Sequence, residues 1–132
     1  MSREQFLQGI EQFNYREFYG CHNTLESLWI DSVEPDRQFY KSILQIAVGC
    51  YHFKNYNWRG AVILLGEGIR LLSSYQPDYQ GIDVSSLVRE SQKLLHYLQQ
   101  TNSGKITVVT KQFENISEND TQRLPYILTV NH

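Results

Sequence analysis

The chain has 132 residues, 41% of them hydrophobic and 13% aromatic, which is the composition of one globular domain and not of a disordered chain. Twelve Lys and Arg against fourteen Asp and Glu give a formal net charge of −2, so the basic surface that nucleic-acid binding requires is not expected. The longest apolar run, residues 43–53, is shorter than the roughly 18 to 20 residues that span a membrane. Neither a nucleic acid nor a membrane is therefore expected as a partner.

Two features of the sequence, its first residues and its cysteines, predict the cellular compartment. The first five residues turn polar at once and lack the apolar core of a signal peptide. The two cysteines, Cys21 and Cys50, do not form a Cys-x-x-Cys motif, and each is expected to be a reduced thiol in the core. We therefore expect a cytoplasmic protein.

Apolar residues recur at helical spacing through the first hundred residues, and they predict five helices. A first short helix is indicated by Phe6, Ile10 and Phe13. A second helix is indicated by one continuous stripe at intervals of three and four residues: Tyr15, Phe18, His22, Leu25 and Trp29. Pro35 is expected at the start of the third helix, where a missing N–H is tolerated.

The third helix is apolar nearly all the way round over residues 43–53, which predicts a central position in a bundle. Its two polar exceptions are Gln45 and His52. Because they are seven residues apart, their side chains project about 20° from one another around the helix axis. Any polar cluster in the bundle is therefore expected on that side.

The last two helices show capping signals. Asn55 or Asn57 is expected to cap the fourth helix, which also contains Gly60, Gly66 and Gly68. Each of these glycines costs about 1 kcal/mol relative to alanine, so we expect them where another helix comes close. Asp83 is expected to cap the fifth helix, whose apolar stripe is Val84, Leu87, Val88, Leu94, Leu95 and Leu98.

The composition changes after Thr101. Residues 1–100 are predicted to form a single all-α bundle of about five helices, and residues 101–132 a tail with two β-prone runs, 106–110 and 126–130. Three paths are open for these runs. They pair as a small hairpin, lie along the bundle, or reach a second copy of the chain as an exchanged arm.

A polar cluster inside the bundle is the candidate site. His22 and Glu26 are four residues apart and share one face of the second helix. His22 lies in the predicted apolar stripe and needs a polar partner there, which Glu26 supplies and the Gln45 and His52 side of the third helix extends. Trp29 and Asn57 complete the candidate pocket.

Two interpretations of this cluster are open. In the first, it is a hydrogen-bond network that fixes which helices pair, and the chain is a small scaffold or interaction domain with a protein partner or another copy of itself. In the second, His22, Glu26 and His52 hold a divalent metal with a position open for water, as in a metal-dependent hydrolase. No other cofactor is predicted. The sequence contains no phosphate-binding loop and no nucleophile elbow, which favours a role other than catalysis.

The spaced residues Phe13-Asn14, Phe18-Tyr19 and His22-x-x-Leu25-Glu26-x-x-Trp29 resemble the signature of a bacterial family, domain of unknown function 309. Further elements of the same signature are Ile43-Leu44-Gln45-x-Ala47, His52, Asn57-x-x-Gly60-Ala61 and Gly81-Ile82-Asp83. The resemblance extends over residues 6–98 and implies an α-helical bundle, with no known activity. Asn23 stands where the family usually has an acidic residue, so no second carboxylate is implied beside His22.

A second, looser resemblance concerns residues 45–76, which are similar to one helix-turn-helix unit of a tetratricopeptide repeat. An array of such repeats needs about three units. The similarity therefore implies at most a related helical interaction module.

Overall fold

Five α helices make up most of the computed structural model, which describes residues 2–101 and 124–130. They are α1 (Ser2–Asn14), α2 (Phe18–Asp31), α3 (Asp36–Lys54), α4 (Trp58–Leu72) and α5 (Val84–Gln99). A 3-10 turn (Ser73–Tyr75) and two short antiparallel strands, β1 (Asp78–Tyr79) and β2 (Ile82–Asp83), connect α4 to α5. The all-α fold predicted from the sequence is confirmed. Within the described ranges, no helix has both the length and the apolar character that crossing a membrane demands.

Side-chain caps fix where α4 and α5 begin. Asn57 Oδ1 accepts a hydrogen bond from the backbone N–H of Gly60 at 3.0 Å, so Asn57, and not Asn55, is the N-cap of α4. Asp83 Oδ1 accepts from the N–H of Ser86 at 2.9 Å, as the sequence predicts for α5. Each such cap contributes about 1 kcal/mol.

Helix α3 is the central element, because it packs against both α2 and α4. Its apolar character on nearly every side is what allows two helices to cover it. The buried residues of α3 are Phe39, Tyr40, Ser42, Ile43, Ile46, Ala47, Gly49, Cys50 and Phe53.

The contact between α3 and α4 depends on glycine. A Cβ atom added at Gly68 would lie 2.6 Å from Cγ1 of Ile46 and 2.9 Å from the backbone oxygen of Ser42, which is closer than carbon atoms can approach. Gly68 therefore marks the close approach that the sequence predicts. Gly66 does not, since the nearest atom to an added Cβ there is Cδ2 of Leu95 at 4.0 Å.

Aromatic contacts hold the β1–β2 hairpin against α3. The Tyr79 ring lies 4.7 Å from the Phe39 ring and 4.8 Å from the Tyr75 ring, measured between centroids. The Tyr79 hydroxyl donates to the carboxylate of Asp36 in the first turn of α3. This hydrogen bond, helped by burial, raises the pKa of Tyr79 to about 12. The hairpin is thus fixed to the helix that carries the core.

Residues 124–130 lie along the bundle beside β2, which is one of the three paths that the sequence leaves open. The carbonyl of Leu128 accepts from the N–H of Asp83 at 2.8 Å, and the N–H of Val130 donates to Gly81 at 2.9 Å. Three side chains of this segment are buried: Leu124, Pro125 and Ile127. The other β-prone run, residues 106–110, lies outside the described residues.

Replacing Gly68 or Gly66 of α4 by alanine should change the free energy of unfolding in opposite directions. We expect Gly68→Ala to lower the free energy of unfolding by about 1–3 kcal/mol, because overpacking against a backbone oxygen outweighs the roughly 1 kcal/mol that alanine gains in a helix. The matched change Gly66→Ala meets open space and should raise it by up to about 1 kcal/mol. Urea denaturation of both variants measures the difference. If both changes stabilise, α3 and α4 are not in close contact at Gly68.

Candidate functional site

The buried face of α2 differs from the predicted stripe. Its buried residues are Phe18, Cys21, Leu25 and Leu28. His22 and Trp29 are the next residues round the helix and are half-buried, while Tyr15 precedes α2 and keeps 71% of its surface exposed. Both stripes have helical spacing. The observed stripe buries Cys21 and not His22, whose imidazole would need a polar partner in the core.

The predicted site residues consequently lie at the edge of the bundle and not inside it. Half-buried are His22, Glu26, Trp29, Gln45 and His52, whereas Asn57 is exposed. The interior position expected for the cluster is therefore corrected. The cause is a rotation of the α2 buried face by about 50°, because Phe18 and Leu25 stay buried while Cys21 and Leu28 take the places expected for His22 and Trp29.

The first histidine forms the pair that its spacing predicts. His22 Nε2 lies 3.0 Å from Glu26 Oε2, and His22 Nδ1 lies 3.2 Å from Asn23 Oδ1. Both ring nitrogens of His22 are thus engaged. The two side chains of the His22–Glu26 pair keep 30% and 46% of their accessible surface, so the pair contributes at most about 1 kcal/mol to stability.

The second histidine belongs to a different pair. Because Asn57 Oδ1 accepts the Gly60 N–H, the Asn57 Nδ2 group, 3.3 Å from His52 Nδ1, is the donor and His52 Nδ1 the acceptor. A Cβ atom added at Gly60 would lie 2.9 Å from the His52 ring. The start of α4 therefore holds His52 in place.

The two pairs do not join into one network. Within the described residues no hydrogen bond connects the His22–Glu26 pair to the His52–Asn57 pair, and Gln45 Oε1 is buried there with no hydrogen-bond partner. Across the same residues, no three or more His, Cys, Asp or Glu side chains are grouped so that they could hold a metal ion. The geometry thus gives no support to a ligand set of His22, Glu26 and His52, since His52 is paired with the cap of α4.

A small, mostly apolar pocket opens between the two histidines. Its volume is about 120 Å³, and it is lined by Phe18, Tyr19 and His22 of α2 and by Val48, Tyr51 and His52 of α3. The two tyrosine rings are 5.8 Å apart at their centroids. Each also contacts the histidine of its own helix, at 6.1 Å for Tyr19–His22 and 6.0 Å for Tyr51–His52. We call Tyr19, His22, Tyr51 and His52 the aromatic face.

The two tyrosines of this face were not predicted from the sequence. Tyr19 and Tyr51 keep 63% and 38% of their surface exposed. Tyr51 lies inside the apolar run of α3, residues 43–53. The available signal was the position of each tyrosine beside a candidate histidine, three residues before His22 and one before His52. The same two tyrosines also line a wider cleft of about 390 Å³ that includes Lys54.

The cysteines behave as the sequence predicts. Cys21 and Cys50 are both free and buried. Burial is the largest cause that raises the pKa of each thiol to about 12. Both are therefore neutral, unreactive core residues at neutral pH.

Together, the fold and the site define a helical bundle with a surface pocket between two histidines, each of which is paired with a neighbouring polar side chain. Residues 6–64 match the model of a family described as "Domain of unknown function (DUF309)". This range, a little under half of the chain, includes most of α1, all of α2 and α3, and the whole aromatic face. The resemblance predicted from the sequence is confirmed over these residues.

A curated relative is also similar to this chain. It is described as "Uncharacterized protein YpuF" of Bacillus subtilis (strain 168), and it is 24% identical over 112 residues. The match covers 83% of this chain but only 64% of the length of YpuF. The similarity therefore concerns a part of that protein.

The buried thiols predict low reactivity. At about pH 8, a disulfide reagent such as DTNB should modify neither Cys21 nor Cys50 in the folded protein, because both are buried and their pKa values are raised from 9.0 to about 12. In denaturant both thiols should react at once. The released chromophore gives the rates. Rapid reaction of one thiol in the folded protein would contradict its burial.

The raised pKa values also predict a pH dependence. Folding favours the neutral form of each thiol. The folded state therefore has its full stability below about pH 9, where the thiols are neutral in both states. Between about pH 9 and pH 12 the thiols ionise in the unfolded chain only, and this stability is lost. The free energy of unfolding should fall over that window. Cys50→Ala removes one of the two ionisations and should make the slope shallower, whereas an unchanged slope would mean that Cys50 does not contribute.

The histidine pair predicts a small effect on stability. His22→Ala should lower the free energy of unfolding by no more than about 1 kcal/mol, because the pair is half-exposed, whereas Leu25→Ala on the same helix should cost about 2–5 kcal/mol. EDTA should leave the melting temperature unchanged. A lower melting temperature in EDTA, with about one equivalent of metal in untagged protein, would instead support the ligand set of His22, Glu26 and His52.

Proposed function

We propose that the chain is a protein-interaction domain that binds a partner protein through the aromatic face. The observation that carries this proposal is the exposure of two neighbouring tyrosines around an apolar pocket. Tyrosine is enriched at the centres of protein interfaces, where its ring is buried and its hydroxyl finds a hydrogen bond. The proposal therefore assigns the interaction role expected from the sequence to the aromatic face.

The aromatic face is organised before any partner arrives. Tyr19 and Tyr51 contact each other from two helices that pack together. Glu26 orients His22, and Asn57 orients His52. A surface whose side chains are already fixed loses little conformational entropy on binding.

The lining of the pocket defines the chemistry of the partner. The pocket of about 120 Å³ has room for one aliphatic side chain between the two imidazoles. Around it, within the described part of the chain, the hydroxyls of Tyr19 and Tyr51 and Nε2 of His52 make no hydrogen bond. The fitting partner therefore presents an aliphatic side chain surrounded by polar groups, as one face of a helix or loop does.

The test compares two double variants. The variant Tyr19→Ala/Tyr51→Ala removes the aromatic rings from the face, and Ile30→Ala/Ile63→Ala removes two side chains that are exposed elsewhere, at 60% and 55%. A partner found by affinity purification with the wild-type chain is purified and titrated against each variant. We expect the first variant to weaken binding at least about 100-fold, because interface tyrosines often cost 2 kcal/mol or more, and the second to stay within about 3-fold.

Two outcomes would contradict the proposal. One is a partner that binds the Tyr19→Ala/Tyr51→Ala variant as tightly as the wild type. The other is a partner that is lost only with the Ile30→Ala/Ile63→Ala variant. Thermal denaturation of each variant confirms that a loss of binding is not a loss of folding.

A further inference from the structure

The bundle holds residues 124–130 in the way that a binding domain holds a peptide, through side chains that contact the peptide main chain. The guanidinium of Arg16 donates to the carbonyl oxygens of Pro125 and, at 3.2 Å, of Leu124. The N–H of Tyr126 donates to Glu90 Oε1 at 2.8 Å. Arg16 follows α1 and Glu90 lies on α5, so the segment is gripped from two sides.

The amide of Asn14 is the centre of this grip. Asn14 Nδ2 donates to the carbonyl of Ile127 at 2.9 Å, and Asn14 Oδ1 accepts from the N–H of the same residue at 2.8 Å. One side chain thereby satisfies both backbone groups of one residue, as a neighbouring strand would. Further along, the segment extends the hairpin through a bridge between Thr129 and Ile82. We call Asn14, Arg16, Glu90 and β2 the tail groove.

The buried side chains define which sequence the tail groove accepts. Ile127 keeps 1% of its surface and Leu124 9%, and Pro125 is buried with them. Proline is suited to its position because only its carbonyl is used and it has no N–H to satisfy. The groove therefore fits an extended segment with the pattern Leu-Pro-x-Ile.

The segment does not fill the surface against which it lies. A cavity of about 580 Å³ remains between α1 and the segment, and Leu7, Tyr15, Tyr126 and Leu128 are among its lining residues. Leu7 and Tyr15 keep 42% and 71% of their surface exposed beside it. A ligand with larger side chains at the outward positions would cover more apolar surface than residues 124–130 do.

A long stretch of sequence connects the segment to α5. Twenty-two residues, 102–123, separate it from the last described residue after α5, and a chain of that length reaches up to about 70 Å. None of the contacts in the groove depends on that connection. Extended segments that add to a strand edge are a common mode of peptide recognition between proteins.

We propose that the tail groove is a peptide-binding site, which takes in trans an extended segment of a partner protein with the pattern Leu-Pro-x-Ile in exchange for residues 124–130. This site shares none of the four residues of the aromatic face and does not depend on the function proposed for that face. The chain's own segment is the competitor that a partner segment displaces. Because that segment belongs to the same chain, it competes as an intramolecular ligand.

The test uses the full chain with a protease site inserted between residues 110 and 111. The probe is a fluorescent peptide with the sequence of residues 123–130, Arg-Leu-Pro-Tyr-Ile-Leu-Thr-Val. After cleavage and dilution, the probe should bind at least about 10-fold more tightly than to the uncut chain, because the competitor is no longer tethered. Asn14→Ala should weaken probe binding to the cleaved chain about 10-fold or more, and the control Asn23→Ala on α2 should not.

A second probe keeps the test decisive if a variant is unstable. A peptide carrying Ile127→Asp places a charge in a buried position and should not bind the unaltered cleaved chain. If dilution of the cleaved chain unfolds it, recovery of helical circular dichroism with the first peptide and not with the second reports the same binding.

Two results would overturn the proposal. The first is a cleaved chain that keeps its own segment through prolonged gel filtration with excess probe and takes up none of the probe, because the contact is then a fixed part of the fold. The second is a concentration-dependent dimer of the uncut chain that Ile127→Asp abolishes. In that case the segment comes from another copy of the chain and not from a different partner.

Discussion

The close contact between α3 and α4 sets the positions of the other elements. Gly68 on α4 meets Ile46, and Gly49 on α3 meets Leu65, with no room for a Cβ atom at either glycine. Because the two backbones approach this closely, the first turn of α4 comes against the end of α3, where it meets His52. The same contact leads α4 toward the aromatic cluster that holds the hairpin. Gly49 and Gly68, at the contact between the two helices, thus determine both how His52 is held and where β2 lies for the tail to pair with it.

The aromatic face exists because α2 had two possible buried stripes. Burial of Cys21 costs nothing in hydrogen bonds, whereas burial of His22 in the same position would leave ring nitrogens to be satisfied in the core. The helix therefore turns Cys21 inward and leaves Tyr19 and His22 at the surface beside Tyr51. The choice of buried stripe converts a predicted internal network into an exposed surface with a pocket.

The last described segment follows a related rule. Backbone groups that lie against a protein surface must find partners, and residues 124–127 find them in side chains of the bundle instead of in a neighbouring strand. Asn14 and Arg16 lie where α1 ends, and Arg16 has a positive φ of 66°, a conformation that non-glycine residues adopt in turns. Their use on the main chain of another segment, and not in a helix cap, is what makes that surface a groove.

The sequence by itself determined what depends on neighbours within a turn or two of helix. The five helices, the cap at Asp83 and the His22–Glu26 pair could all be predicted, because periodicity, capping and four-residue spacing are local properties. Only the tertiary structure decided which stripe of α2 is buried, that Gly68 but not Gly66 is a close contact, and that residues 124–130 lie beside β2. Each of these depends on the shape of a surface far away in the chain, and a local pattern carries no information about that shape.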